Sequence, residues 1–215
     1  MRQETHCQYE IVDSALVLSV SKSILFSRVV GKRLLKRLLF LTGSPGVGKT
    51  TILLRVVEAL KAKGYGVGGM ISREVRCSGV RVGFEIMDLC DSAHGWLAHV
   101  SQQSGPQVGR YRVSLKDLDS VGVRAIVRAV EDLDVVVVDE VGPMELFSAK
   151  FQDAVGRAVE SLKLVIGVVH LRARSRLIDE VKGRADFGVY VVTPENRDSL
   201  HEAVVEKAVE FLEHA

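Results

Sequence analysis

The sequence predicts an α/β protein: a mainly parallel sheet flanked by helices, with an antiparallel hairpin inserted. Three observations carry this expectation. Uninterrupted apolar runs such as "DVVVVD" (134–139) and "KLVIGVVH" (163–170) read as strands buried on both faces. Amphipathic helical patterns alternate with them, which is the signature of a covered parallel sheet. At 73–89, two β-prone runs flank Ser78-Gly79, a pair suited to a tight hairpin turn.

In order along the chain, Leu38–Thr42 is strand-like, and 49–63 is helical with Ile52, Leu53, Val56, Val57 and Leu60 on one face and Gly64 as its stop. "VGGMIS" (67–72) is a second buried strand, and the hairpin follows it. Residues 91–112 read as a Gly- and Ser-rich loop that ends in a short strand, "GRYRVS". A helix over 119–131 buries Val121, Ala125, Ile126, Ala129 and Val130. The strand at 134–139 then leads to a helix over 148–161, and the strand at 163–170 to a short Arg-rich helix. "FGVYVV" (187–192) precedes the last helix, for which Thr193 is the expected N-cap and Pro194 the first helical position. The buried stripe of that helix is Leu200, Ala203, Val204, Ala208, Phe211 and Leu212. In such sheets the ligand site lies at the carboxyl ends of the strands.

Of the 215 residues 47% are hydrophobic, enough for one sizeable core over 36–215. Residues 1–35 stand outside the alternation, as an extension that is an extra edge strand and helix, a disordered arm, or an upstream stretch without structural role. A net charge of +2 is near neutral and gives no reason to expect a nucleic-acid partner. The basic clusters Lys32, Arg33, Lys36, Arg37 and Arg172, Arg174, Arg176 read as solvated faces. Three scattered cysteines are too few for a disulfide framework and favour a reducing compartment. No apolar run reaches the ~18 residues of a membrane span, and "SALVLSVSKSILFSRVV" is broken by Lys22 and Arg28. The expectation is a cytoplasmic protein without membrane contact, a monomer being compatible with all of this.

The stretch "LTGSPGVGKTT" (41–51) falls between the first strand and the first helix. Gly43, Ser44, Pro45, Gly46, Val47, Gly48, Lys49 and Thr50 fit G-x-x-x-x-G-K-[ST], the phosphate-binding loop. Bare glycine backbone lets N–H groups wrap a phosphate chain, and the following helix presents its positive end to the same anion. Lys49 would reach the β- and γ-phosphates, the Thr50 hydroxyl would ligate Mg²⁺, and Thr51 would bond the α-phosphate. Asp139 closes a buried strand, the place of a carboxylate in the Mg²⁺ shell. Glu140 beside it can act as general base on a water. Glu145 fits both a helix-start acid near the dipole and a catalytic group. His170, ending "VIGVVH", either contacts the γ-phosphate or is bonded locally at its strand end. Cys77, Cys90, His94 and His99 lack the spacing of a zinc site.

Taken together, "GSPGVGKTT", "VVVVDEVGPMEL" and "VYVVTPENRDSL" resemble the thermophile-type nucleoside-triphosphatase family, over about residues 37–213. The resemblance implies a RecA-like P-loop fold in which the strand carrying His170 lies between the loop strand and the Asp139 strand. It also implies Mg²⁺-dependent hydrolysis of nucleoside triphosphates to diphosphates with broad base tolerance. The nucleotide site it implies joins the loop to Val135, Val136, Val137, Val138, Asp139, Glu140, Val141 and Gly142. It adds Asn196 and Arg197 from "TPENR", although Asn196 equally suits a helix start. No N-K-x-D element for selecting guanine follows Asp139. Two other functions share these motifs: a nucleoside or polynucleotide kinase with an Arg-rich lid, and a slow nucleotide-dependent switch with the hairpin as its partner surface.

Overall fold

The computed structural model of the chain describes residues 29–30, 33–34, 36–184 and 186–214. The N-terminal extension therefore lies outside the described residues, apart from Val29–Val30 and Arg33–Leu34, which pair antiparallel.

The remaining strands form one nine-stranded sheet. They are β1 (Leu38–Thr42), β2 (Val67–Cys77), β3 (Val80–Asp88), β4 (His94–His99), β5 (Gln107–Val108), β6 (Tyr111–Val113), β7 (Val135–Val141), β8 (Leu164–Val169) and β9 (Phe187–Val191). Their order is β9-β1-β8-β7-β2-β3-β4-β6-β5. The first five are parallel and the rest pair antiparallel. β8 lies between the loop strand β1 and the Asp139 strand β7, as the family resemblance implies. This is a P-loop NTPase fold with an antiparallel extension.

Strand alternation divides the core between the two faces. Leu39 and Leu41 of β1, with Val135 and Val137 of β7, pack on α1 (Lys49–Ala62) and the C-terminal helix α5 (Leu200–Leu212). Leu38, Phe40, Val136 and Val138 point the other way. They meet α2 (Arg124–Asp132), α3 (Ala149–Glu160) and α4 (Arg176–Lys182). Ser148 and Ser175 cap α3 and α4, each accepting a backbone N–H through its hydroxyl.

Four expectations change. "VGGMIS" and the first arm of the hairpin are a single strand: β2 runs parallel to β7 over Val67–Met70 and antiparallel to β3 beyond. Its turn, with Ser78 at φ 48° and Gly79 at φ 79°, has the two positive φ values of a tight hairpin. Residues 94–99, expected as loop, are β4, because β3 offers them an open edge to pair with. The helix expected over 119–131 begins earlier, at Leu115, where Ser114 accepts from the Asp117 N–H. It passes through a π-helical stretch, Leu118–Val123, before becoming α2. The last helix starts at Leu200 rather than Pro194. Asn196 holds the preceding residues in turns by accepting from the Thr193 N–H and donating to the Val191 carbonyl, both at 2.9 Å. Ala203 of the expected stripe is exposed.

Arg37 is no member of a solvated basic face. It is only 1% exposed. Its Nε donates to Asp186 (3.1 Å), Nη1 to the Lys163 carbonyl (2.9 Å) and Nη2 to the Val159 carbonyl (2.7 Å). One guanidinium thus ties together the entries of β1, β8 and β9 and the last turn of α3. Removing one partner of a buried pair leaves the other charge stranded. Arg37→Met is expected to lower stability by about 3 kcal/mol, read as a reduced urea midpoint at unchanged slope. The double variant Arg37→Met, Asp186→Leu is expected to recover part of the loss.

Candidate active site

The loop at 43–48 leaves β1 where β9 ends. Gly43 has φ 151°, and a Cβ there would lie 2.7 Å from the Val192 carbonyl oxygen, so the loop turns against its neighbour without a side chain. Gly48, at φ 111°, is the N-cap of α1. No side chain caps this helix end and no acid lies in its first turn, which leaves its N–H groups and positive dipole for an anion. The Lys49 ammonium arches back to the Gly43 and Ser44 carbonyls, 3.1 Å from each.

Thr50 Oγ1 donates to Asp139 Oδ2 at 2.8 Å. Asp139 is only 2% exposed. Burial pushes its carboxyl up to about 7, helped by the charge of Glu140 and opposed by the bonds from Thr50 and the Ser72 backbone and by Lys49. Successive strand residues ordinarily point to opposite faces. Here the β7–β8 register slips: Gly167 pairs with Val138 but Val169 with Val141. Asp139 and Glu140 together face the single residue Val168, and both line the same cleft.

Glu145, from the short 3₁₀ turn Glu145–Phe147, joins them. It is 3% exposed. Burial raises its carboxyl to about 8, with the charges of Glu140 and Asp139 adding to the effect. Gly142 supplies the room. A Cβ there would meet Glu140 Oε1 at 2.7 Å and Glu145 Oε2 at 3.0 Å, so the two carboxylates lean over the same bare backbone. His170 also lines the cleft. Its Nδ1 accepts from the Arg172 and Ala173 N–H groups at 3.2 and 3.0 Å, which assigns the ring proton to Nε2. The local bonding and the place at the site thus coexist.

The cleft has a volume of about 810 Å³ and runs from the loop, with Thr51 at its rim, to the antiparallel extension. Val47 packs on the core instead of lining it. Val135, Val136, Val137 and Val138 are wholly buried, so they carry Asp139 to its place without reaching ligand, which corrects their assignment to the nucleotide site. Val141 is buried too, and its carbonyl accepts from the His170 N–H. Asn196 and Arg197 are not brought to the cleft. Neither lines it: Asn196 is spent on backbone bonds to Thr193 and Val191, and Arg197 is exposed. Cleft residues that the sequence did not single out are Arg73, Glu74, Arg81 and Phe84 of the hairpin, with Pro143 and Met144 beside Glu140. The available signal was that the hairpin continues a strand neighbouring β7. Cys77 and Cys90 are free and exposed, and no group of three or more His, Cys, Asp or Glu side chains could hold a metal among the described residues.

A buried carboxyl with a raised pKa binds its proton more tightly folded than unfolded, so it destabilises the fold as pH climbs from the unfolded value toward the folded one. For Glu145 that window runs from 4.5 to about 8. Glu145→Gln is expected to raise stability at pH 8 by on the order of 2 kcal/mol and to leave it little changed at pH 4. Urea unfolding of both proteins across that range checks it, and equal pH dependence would refute the assignment.

The family model described as NTPase matches residues 38–205. Nucleoside-triphosphatase THEP1 of Thermofilum pendens is 47% identical over 161 residues, covering 74% of this chain and 88% of that protein. The protein of the same name from Methanopyrus kandleri is 45% identical over 174 residues, covering 80% and 96%. Among solved structures, that of a human cancer-related nucleoside triphosphatase superposes with a TM-score of 0.67 at 33% identity, covering 79% of this chain and 96% of that one. THEP1 from Aquifex aeolicus gives 0.65 at 29%, with the same coverage. No described helix is long and apolar enough to cross a membrane. With its phosphate loop, paired strand-end acids and intervening β8, the chain belongs to the nucleoside-triphosphatase family that includes the THEP1 proteins.

Proposed function

We propose that the protein hydrolyses nucleoside triphosphates to diphosphate and phosphate, with Mg²⁺ and little selection among bases. The observation that carries this reading is the bond from Thr50 to Asp139, which joins the phosphate loop to the strand-end acid with Glu140 beside it. Loop N–H groups and the start of α1 would bind the phosphate chain, and Lys49 would exchange its two loop carbonyls for phosphate oxygens. All-oxygen donors around a buried carboxyl suit a small hard cation. Thr50 and Asp139 would hold Mg²⁺, whose charge offsets that of the phosphates.

Glu140 takes the proton of the attacking water. A protonated Glu145 can donate to Glu140 across Gly142 and so orient it. His170 Nε2 is left to donate to a γ-phosphate oxygen. These groups act on phosphate and water and are blind to the base, which agrees with the missing N-K-x-D element.

Phosphate release with Mg²⁺, measured separately on ATP, GTP, CTP and UTP without an acceptor, is expected to show multiple turnover on several bases. Silence on all four with nucleotide still bound would overturn the reading. Lys49→Ala is expected to abolish turnover and weaken nucleotide binding. Glu140→Gln is expected to keep binding and lose roughly 10²–10⁴ in kcat; wild-type turnover would move the base elsewhere. Gly142→Ala, by displacing both carboxylates, is expected to lower kcat at nearly unchanged nucleotide affinity in an equilibrium titration.

A further inference from the structure

The cleft is larger and more apolar than hydrolysis requires. Its far end is formed by Phe84, Leu97, Val108, Pro143 and Met144. The strand order places Phe84, Leu97 and Val108 beyond β7, on the opposite side of Asp139 from the loop strand, with Pro143 and Met144 in the turn that follows β7 itself. A triphosphate in the loop would turn its γ-phosphate toward Asp139 and Glu140 and lead its nucleoside out past Thr51. The apolar end therefore lies beyond the reacting phosphate, where the donor's own base does not reach. Water needs no such chamber; a second organic reactant does.

The chamber is built in advance. Phe84 stands edge-on to Tyr111, with ring centroids 5.3 Å apart at 70°. The Arg81 guanidinium lies 5.2 Å from the Phe84 centroid. It is fixed by Glu74 at 2.7 Å and the Tyr111 hydroxyl at 2.9 Å. A ring contact beside a fixed guanidinium–carboxylate pair offers stacking, donors and acceptors at once, the combination that suits a flat heterocycle. Pro143 and Met144 belong to the same turn as Glu140 and Glu145, so a ligand held there is next to the base.

The geometry points to an acceptor subsite for a nucleoside, through which this site also transfers the γ-phosphoryl group to a nucleoside hydroxyl. This rests on the loop-and-acid reading of the site given above. The hydroxyl oxygen forms a bond to the γ-phosphorus while the bond from that phosphorus to the β,γ-bridging oxygen breaks. The nucleoside diphosphate leaves with the bridging oxygen, and the hydroxyl proton passes to Glu140. The product is a nucleoside monophosphate.

The test supplies Mg-ATP with adenosine, guanosine, cytidine or uridine in turn and follows phosphate and nucleoside monophosphate in the same reaction by phosphorus NMR and mass spectrometry. At least one nucleoside is expected to yield its monophosphate. Phe84→Ala is expected to reduce that product at least about tenfold, the scale of one lost base–aromatic stack, while phosphate release without acceptor stays within about twofold. Val108→Arg, which fills the chamber from a different strand, is expected to do the same if Phe84→Ala does not fold. Phosphate release by the wild type with no monophosphate from any nucleoside overturns the acceptor subsite and leaves the hydrolase standing. Monophosphate formation unaffected by the folded variants overturns it as well. Monophosphate formation without phosphate release in the absence of acceptor supports the subsite and removes the hydrolase.

Discussion

The carboxyl ends of β1, β8 and β7 come together because their parallel ladders run in register, Leu38 through Leu41 against Val165 through Val168 and Val135 through Val138 against Leu164 through Gly167. Every group at the site depends on that alignment. Residues far apart in sequence, the loop after Thr42, the acids after Val138 and the histidine after Val169, emerge at one edge because the strands beneath them stop together. The hydrogen bond from Thr50 to Asp139 spans the interval that β8 occupies and links loop to acid directly. The Arg37 cluster secures the opposite end of the same strands.

Where the ladder departs from regularity, chemistry appears. The slip opposite Val168 brings two consecutive acids to one cleft, which a regular strand would have divided between the faces. The bare backbone of Gly142 then admits a third carboxyl. Holding Asp139 and Glu145 out of water works against their ionisation, and their raised pKa values express that cost. In the proposed reaction, a bound cation or a transferred proton would relieve the same penalty.

The antiparallel extension makes the cleft asymmetric. β2 serves both sheets of contacts, buried beside β7 over its first residues and then rising, half-exposed, into the hairpin. The half of the cleft that holds the loop and the acids thus comes from strand ends of the parallel core, and the half that holds Phe84, Leu97 and Val108 from the strands added beyond it. Fixed aromatic and arginine contacts around Arg81 give that second half a shape of its own.

By itself the sequence determined the alternating elements, the phosphate loop and the strand-end acid. Each is written in local chemistry: periodicity, glycines that free the backbone, a carboxylate closing a valine run. It carried the hairpin turn too, since Ser78-Gly79 is a local signal. It misjudged β4 and the start of the last helix. The first becomes a strand through pairing with β3, and the second is delayed by the bonds Asn196 makes to the backbone around it. Arg37 looked like any surface cation until three neighbours from distant parts of the chain enclosed it. Only the tertiary structure decided that Val135 through Val138 are support and not ligand contacts, that Glu145 shares Gly142 with Glu140, and that the hairpin walls the cleft. Those outcomes depend on which residues distant in sequence come within a few ångströms, and burial and contact of that kind have no local signature.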